Sequence, residues 1–291
     1  MTRKSPWDDV TVVIVVHNSE SVISAALQRV KQARRVIVVD NASHDDTCDA
    51  ARRALPTVEI HKMDTNLGYG RANNRGFALA ATEFVLLLNP DALVEEGALE
   101  TLVAAADRYL EAAVLAPLLY TPEGRLEFYT MGFDAYAPNE ETAPPDGDVC
   151  TGFIMGASML WRLSAWHDIG GFDENFFIYG EDVDISRRTV QAGYGIVIVP
   201  SAIVRHLSGK SSPVTWRTRW RKDWHVSWGR LYNIGKHDDA DKAVRCARHQ
   251  LWLFGFRALM YTPLFRFKKV MRNLAAAGAS LQYLLHRPTV S

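Results

Sequence analysis

Cysteine is scarce in this chain. Cys48, Cys150 and Cys246 lie far apart and in no metal-like spacing, which excludes a disulfide scaffold and fits free thiols in a reducing compartment. Long apolar runs are missing too. No stretch reaches the roughly 18 uncharged apolar residues that a membrane span requires; the best candidates are broken by Arg257 or stop near Leu285. Met1–Asp9 is polar and the apolar run behind it, Val10–Val16, is too short for a signal-peptide core, so a cytoplasmic location is expected. No G-x-G-x-x-G follows that run, which disfavours a dinucleotide cofactor. No nucleic-acid-binding motif is recognisable, so no nucleic-acid partner is expected. Net charge is absent as well, yet the balance is not local. Residues 1–215 hold 18 Lys and Arg against 29 Asp and Glu, a net of −11, whereas residues 216–291 hold 15 against 4, a net of +11. An acidic body and a basic tail suit different partners.

What is present is a series of short, β-branched strands, each ending in a polar turn. Val10–Val16 runs into His17-Asn18-Ser19, whose serine is placed to cap the next helix. Val36–Val39 ends at Asp40-Asn41-Ala42-Ser43, a helix follows from Asp45 to before Pro56, and Val58–His61 is a weaker third strand. Phe84–Leu88 is an unbroken apolar run of five, as in a strand buried on both faces of a parallel sheet. It stops at Asn89-Pro90-Asp91, where proline ends the ladder. Strands alternating with helices, with polar residues at each carboxyl end, predict a doubly wound, mostly parallel α/β sheet. Open sheets of that kind bind ligands at those ends. An acidic turn there suits a hard divalent cation with sites left for phosphate oxygens; the bland reading is a strand, a turn and a helix cap.

Asp40 suits a nucleoside's ring N–H or ribose hydroxyls, or simply caps a helix. Asn66-Leu67-Gly68-Tyr69-Gly70-Arg71 is a glycine-rich loop in which Arg71, with Arg75 four residues on, can meet phosphate oxygens. Ala113–Pro117 is a further strand, a hairpin turn falls at 120–125, and 137–148 reads as a mobile loop. Thr151–Leu160 reads as a strand with Gly156 leaving room for a substrate. Glu181, Asp182 and Asp184 open a helix behind the apolar Phe176–Tyr179, where desolvation can raise a carboxylate's pKa towards that of a general base. Favourable placement of acids at a helix N-terminus is the structural alternative. Ile196–Pro200 is a strand, with His206 just beyond it. In the tail, Trp216, Trp220, Trp224, Trp228 and Tyr232 recur every four residues, a helical stripe suited to packing. Phe254, Phe256, Phe265 and Phe267 alternate with Arg257, Arg266, Lys268 and Lys269, the mixture that settles at an anionic membrane surface or forms an oligomer contact.

VTVVIVVHN, VVDNASHDD, NLGYGRANNRG, LLLNPDA and GGFDENFFIYGEDVDISRR stand in the order and spacing of family-two glycosyltransferases. The resemblance covers about residues 8–235 and is nearest to the bacterial rhamnosyltransferases of surface-polysaccharide assembly. It implies the GT-A fold (Rossmann-like). The charge split and the aromatic repeat divide the chain into a catalytic domain at 1–215 and a basic, aromatic-rich helical C-terminal extension at 216–291. Within the former, about 8–117 would bind the nucleotide sugar and about 118–215 the acceptor. The resemblance also implies a dTDP-, UDP- or GDP-linked donor, a saccharide or polyprenyl-linked acceptor, a divalent metal (Mn²⁺ or Mg²⁺) and inversion. His17, Asn18 and Asp40 match the nucleoside pocket, and Asn66, Gly68 and Arg71 the loop over base and diphosphate. Asn89-Pro90-Asp91 matches the Asp-x-Asp metal motif with its first acid replaced, leaving Asp91 as main ligand. Glu181 and Asp182 match the acidic pair that supplies the base, with Asp182 preferred, and His206 matches a histidine that completes some metal sites. The Gln-x-x-Arg-Trp motif of processive synthases and their membrane spans are missing, which implies single additions; the basic, aromatic tail is expected to bring the chain to the inner face of the cell membrane. Two rivals fit less well. A nucleotidyltransferase needs a lysine-containing triphosphate loop after the first strand, and a non-catalytic nucleotide-sugar-binding scaffold would not need Glu181 and Asp182.

Overall fold

Seven consecutive residues of high β-propensity, Val10–Val16, form β1, and every one is buried. The computed structural model describes residues 5–127, 143–207 and 215–285. Around β1 lie β2 (Arg35–Asp40), β3 (Glu59–Lys62) and β4 (Phe84–Leu88), all parallel, in the order β3-β2-β1-β4. The register pairs Val16 with Asp40 and Ile14 with Leu88. The carboxyl ends of three strands therefore come out along one edge.

Beyond β4 the sheet changes direction. β8 (Ser158–Arg162) runs antiparallel to β4 and to β6 (Ala112–Tyr120), and β6 pairs parallel with β9 (Gly195–His206). β5 (Ala92–Val94) and the two-residue β7 (Val149–Cys150) both add antiparallel to β9. β4 is thus buried on both faces, but only one of its neighbours is parallel.

Side-chain alternation splits the core into two layers. Val10, Val12, Ile14 and Val16 face α1 (Glu20–Val30) and α4 (Ala98–Arg108), through Ile23, Leu27, Leu99 and Leu102. Val13 and Val15 face the other layer, with Phe77, Trp161, Trp166 and Phe172. Phe77 belongs to α3 (Tyr69–Phe77) and Trp166 to α5 (Leu163–Ile169), and their rings stack at 3.8 Å. Close approach is built into α3: a Cβ on Gly76 would lie 2.3 Å from Val13 Cγ1. α2 (Thr47–Ala54) covers the sheet on the side of α1, its Ala50 and Ala51 in the first layer.

Three local expectations are corrected. Residues 151–157 are irregular, and the strand begins only at Ser158. The carbonyls of Gly156 and Ala157 are taken by Tyr69 Oη and Asn89 N, not by a neighbouring strand along this stretch. The strand expected to stop at Pro200 continues to His206, because the ladder skips from Pro117↔Val199 to Leu118↔Ile203 and leaves the donor-less proline in the bulge. His206 therefore ends a strand instead of following one. Ser19 stands at the N-cap of α1 but makes no side-chain cap bond there; its Oγ accepts from His17 N at 3.3 Å.

The chain divides into two compact units, Met1–Glu174 with Asp182–Ser212, and Asn175–Glu181 with Pro213–Ser291. The second unit contains α7 (Trp216–His237), α8 (Ala240–Tyr261) and α9 (Phe267–Leu285). α7 starts with a capping box between Thr215 and Thr218, and Asp239 caps α8 by accepting from Asp241 N and Lys242 N. Part of the aromatic stripe is internal to this unit. Trp224, Trp228 and Tyr232 stack in sequence, and Phe176 meets the last two edge-on. Trp216, by contrast, is exposed.

Candidate active site

Three strand-end turns form the first part of the site. Asn18 and Ala42 follow β1 and β2 with φ of 54° and 62°, unusual for residues with a Cβ. The two turns hold each other: Asn18 N donates to Ser43 Oγ at 2.9 Å and His44 N to Asn18 Oδ1 at 2.8 Å. Backbone held in this region costs energy that the neighbouring bonds must offset, and such positions cluster at functional sites. His17 Nδ1 lies 2.9 Å from the Asn41 carbonyl. Asp40 is buried, its two oxygens accepting from Ser43 N and from the Cys48 thiol. Burial pushes its pKa up, but the bonds from Ser43 and Cys48 outweigh this and hold it below the usual carboxylate range. The same pair, with burial leading, pushes the Cys48 thiol up to about 11. Asp40 thus shapes the 40–48 turn.

Asn41, not singled out in the sequence, ties the glycine loop to this edge. Its Nδ2 donates to Asn66 Oδ1 (2.9 Å) and the Gly68 carbonyl (3.2 Å), while its Oδ1 accepts from Leu67 N (2.8 Å). Gly68 has φ of 88° and leads into α3. Arg71 is directed to the Glu174 carbonyl, Nε to O 2.7 Å, and Arg75 is exposed. Tyr69 Oη donates to the Gly156 carbonyl and lies 3.1 Å from Asn89 Oδ1, which draws α3, the end of β4 and the 151–157 segment together. Asp182 is beside them: a Cβ on Gly156 would lie 3.8 Å from Asp182 Cβ. Asp182 stands near the start of α6 (Glu181–Gln191), where Val183 N donates to its Oδ1 at 2.9 Å. Glu181 is buried and belongs to the second compact unit.

The second part of the site is ionic. Asp91 lies just before β5, which pairs Ala92 with His206, and Leu207 N donates to the Asp91 carbonyl at 2.9 Å. That pairing sets the two side chains together, His206 Nε2 3.3 Å from Asp91 Oδ1. Asp91 is 1% exposed, and neither of its carboxylate oxygens has a hydrogen-bond donor of good geometry among the described residues. On its other nitrogen, His206 Nδ1 lies 2.7 Å from Glu127 Oε2. Burial pulls the imidazole's pKa down, but the carboxylates of Asp91 and Glu127 overcome it and push the value up to about 9. Glu127 gave no sequence signal, being an acid just past a hairpin turn. The turn closes with Thr121 N donating to the Arg125 carbonyl, and Glu127 N donates to Leu119 O of β6.

A buried carboxylate 3.3 Å from an imidazole nitrogen has the donor chemistry of a divalent cation site. The second carboxylate on the far imidazole nitrogen is the arrangement that orients metal-binding histidines. Among the described residues, no group of three or more His, Cys, Asp or Glu is placed to enclose a metal.

The description Glycosyl transferase family 2 matches residues 11–167. More than half of the chain falls within that match, and the chain belongs to this family: it is a glycosyltransferase. It is 32% identical over 208 residues to the N-acetylglucosaminyl-diphospho-decaprenol L-rhamnosyltransferase of Mycobacterium tuberculosis, covering 61% of this chain and 67% of the relative. It is 26% identical over 209 residues to the O-antigen chain rhamnosyltransferase RfbN of Salmonella typhimurium, covering 68% and 66%. Among solved structures, the mannosyltransferase PcManGT from Pyrobaculum calidifontis, in complex with GDP-Man and Mn²⁺, superposes with a TM-score of 0.55 at 17% identity, over 96% of this chain and 91% of that one. S. aureus TarS 1-349 gives 0.54 at 17% identity, over 95% and 91%. These likenesses establish the GT-A fold.

Proposed function

We propose that this glycosyltransferase moves a hexose, rhamnose in the first instance, from a nucleoside-diphosphate sugar to a hydroxyl of a saccharide or polyprenyl-linked acceptor. The transfer inverts the anomeric carbon, requires a divalent cation and takes place at the cytoplasmic face of a membrane during surface-polysaccharide assembly. The single observation that carries the reading is the buried pairing of Asp91 with His206, a carboxylate and an imidazole 3.3 Å apart just beyond the end of β4. The M. tuberculosis and Salmonella relatives, both named as rhamnosyltransferases and the first as acting on a decaprenol-linked sugar, support the sugar and the acceptor class.

In this reading Asp91 and His206 hold the cation, Mn²⁺ or Mg²⁺, which when bound neutralises the departing diphosphate. His17, Asn18 and the Asp40 turn receive the nucleoside. Asn66 and Gly68 close over it, Arg71 exchanges the Glu174 carbonyl for a phosphate, and Asn89 contributes to donor binding. Asp182 removes the proton from the acceptor hydroxyl, on the face of the sugar opposite the leaving group; Glu181 is its alternate. Backbone N–H groups of the loop supply fixed dipoles where negative charge develops.

The test is Asp91→Ala. Calorimetry is expected to show Mn²⁺-dependent nucleoside-diphosphate binding in the unmodified chain and none in the variant, with the unfolding transition retained. Unchanged Mn²⁺-dependent binding by the variant would make this strand end a turn and nothing more.

A further inference from the structure

The second unit buries one ring cluster and leaves large apolar side chains of α8 and the start of α9 exposed. The buried residues of α8 are Ala243, Val244, Ala247 and Ala258, and those of α9 include Ala275, Ala276, Ala277 and Ala279. Trp252, Phe256 and Leu259 follow one another at helical spacing on an open face of α8, and Leu264, Phe265 and Phe267 continue from the turn into α9. All six are between 49% and 78% exposed. Trp252 and Phe256 stack on each other at 5.7 Å with their planes 4° apart. A helix pair that packs through alanine and turns its aromatics outward gains nothing in folding from those aromatics. Contiguous exposed apolar surface of this kind marks an interaction site.

Two further observations identify the partner. Phe265, the most exposed of the six, has φ of 51°, a left-handed conformation that is strained for an aromatic residue. The residue is 78% exposed. Charge is the other. Between Lys242 and Leu285 there are eight Lys and Arg and no Asp or Glu, and Arg257, Arg266, Lys268 and Lys269 flank the apolar tip. Among the described residues no helix is long and apolar enough to cross a membrane. Apolar anchors ringed by cations, on helices that cannot span, are the chemistry of a segment lying in an anionic lipid interface.

We infer that the tip formed by the end of α8, the 262–266 turn and the start of α9 inserts into the surface of an anionic membrane. The anchors are Trp252, Phe256 and the 264–267 side chains, and Arg266, Lys268 and Lys269 meet the lipid headgroups. The stack of Trp224, Trp228 and Tyr232 takes no part. The inference does not depend on which sugar is transferred, or on whether one is.

Flotation of the full chain with vesicles tests it. Binding is expected to vesicles of phosphatidylglycerol and phosphatidylcholine, weaker to phosphatidylcholine alone, and weaker at high salt. Arg266→Gln, Lys268→Gln and Lys269→Gln together are expected to reduce partitioning about 100-fold, since each cation contributes about fivefold, the equivalent of about 1 kcal/mol. Leu264→Ser with Phe265→Ser removes the apolar part and is expected to leave weak, wholly salt-sensitive binding. Tryptophan quenching by brominated phosphatidylglycerol in the unmodified chain gives a readout that needs no variant. Absence of both flotation and quenching at low salt overturns the inference, as does flotation that all these substitutions leave unchanged. A dimer that Leu264→Ser with Phe265→Ser dissolves, without flotation of the unmodified chain, also overturns it and assigns the tip to a second copy.

Discussion

Glu127 offers the sharpest test of how the ionic half of the site works. Its Oε2 lies 2.7 Å from His206 Nδ1, and the two side chains are 18% and 11% exposed. If Nδ1–H donates to Glu127, the lone pair of Nε2 is left facing the Asp91 side, where a cation would sit. Outer partners of that kind are worth 10–100-fold in metal affinity, about 1.4–2.7 kcal/mol. Glu127→Ala removes both the acceptor and the charge. The lost charge works in two directions, because the carboxylate also helps to hold a proton on His206 that competes with metal. Glu127→Gln loses the same charge but keeps an oxygen able to accept from Nδ1–H. The ratio of the two variants therefore isolates orientation. Titration with Mn²⁺ alone, followed by the paramagnetic resonance of the free ion, is expected to give about tenfold tighter binding for Glu127→Gln than for Glu127→Ala. Equal affinities for the two variants would refute the reasoning, and Glu127 would be only an ionic neighbour.

Two other outcomes follow from the same geometry. Asp182→Asn keeps the shape of the α6 N-terminus and removes the proton acceptor, so turnover should fall about 10²–10⁴-fold while donor affinity by calorimetry stays near that of the unmodified chain; more than half of the original turnover would transfer the role to Glu181 or elsewhere. Gly229→Ala would set a Cβ 2.4 Å from the Tyr179 carbonyl oxygen, and urea denaturation should show a loss of about 1–3 kcal/mol from overpacking; unchanged stability would mean that the contact yields freely.

The parallel half of the sheet was legible because short apolar runs and polar turns alternate there, most clearly at β1, β2 and β4. Val10–Val16 and Phe84–Leu88 have the same bounds in sequence and structure, since in each the apolar run stops where the ladder stops. The antiparallel insertion of β8 was not legible. Its residues, Ser158–Arg162, look the same whichever way their neighbours run, and direction is decided by β4 and β6, both distant in sequence. Pro200 misled because a proline normally ends a strand, and only the register slip against β6 lets β9 go on. The sequence singles out Asp91 and His206 separately, and what brings them together is the pairing of Ala92 with His206. Glu127 and Asn41 had no local signal, since a single acid after a turn and a single amide after a strand are common anywhere.

Tail aromatics at a four-residue spacing give the same sequence signal whether they end up stacked inside or exposed, and the structure separates them by what lies opposite. Trp228 and Tyr232 meet Phe176, and Asn233 Nδ2 donates to the Gly180 carbonyl at 2.9 Å. Tyr179 and Gly180 have φ of 67° and 103°, and Gly229 gives them the space of a missing Cβ. The segment Asn175–Glu181 is therefore moored to α7 by a ring cluster, a hydrogen bond and a backbone contact, in a conformation it would not adopt alone. Within the second unit, the inner part of the aromatic stripe thus has a structural task, holding residues 175–181 against α7, whereas Trp216 at its outer end is exposed.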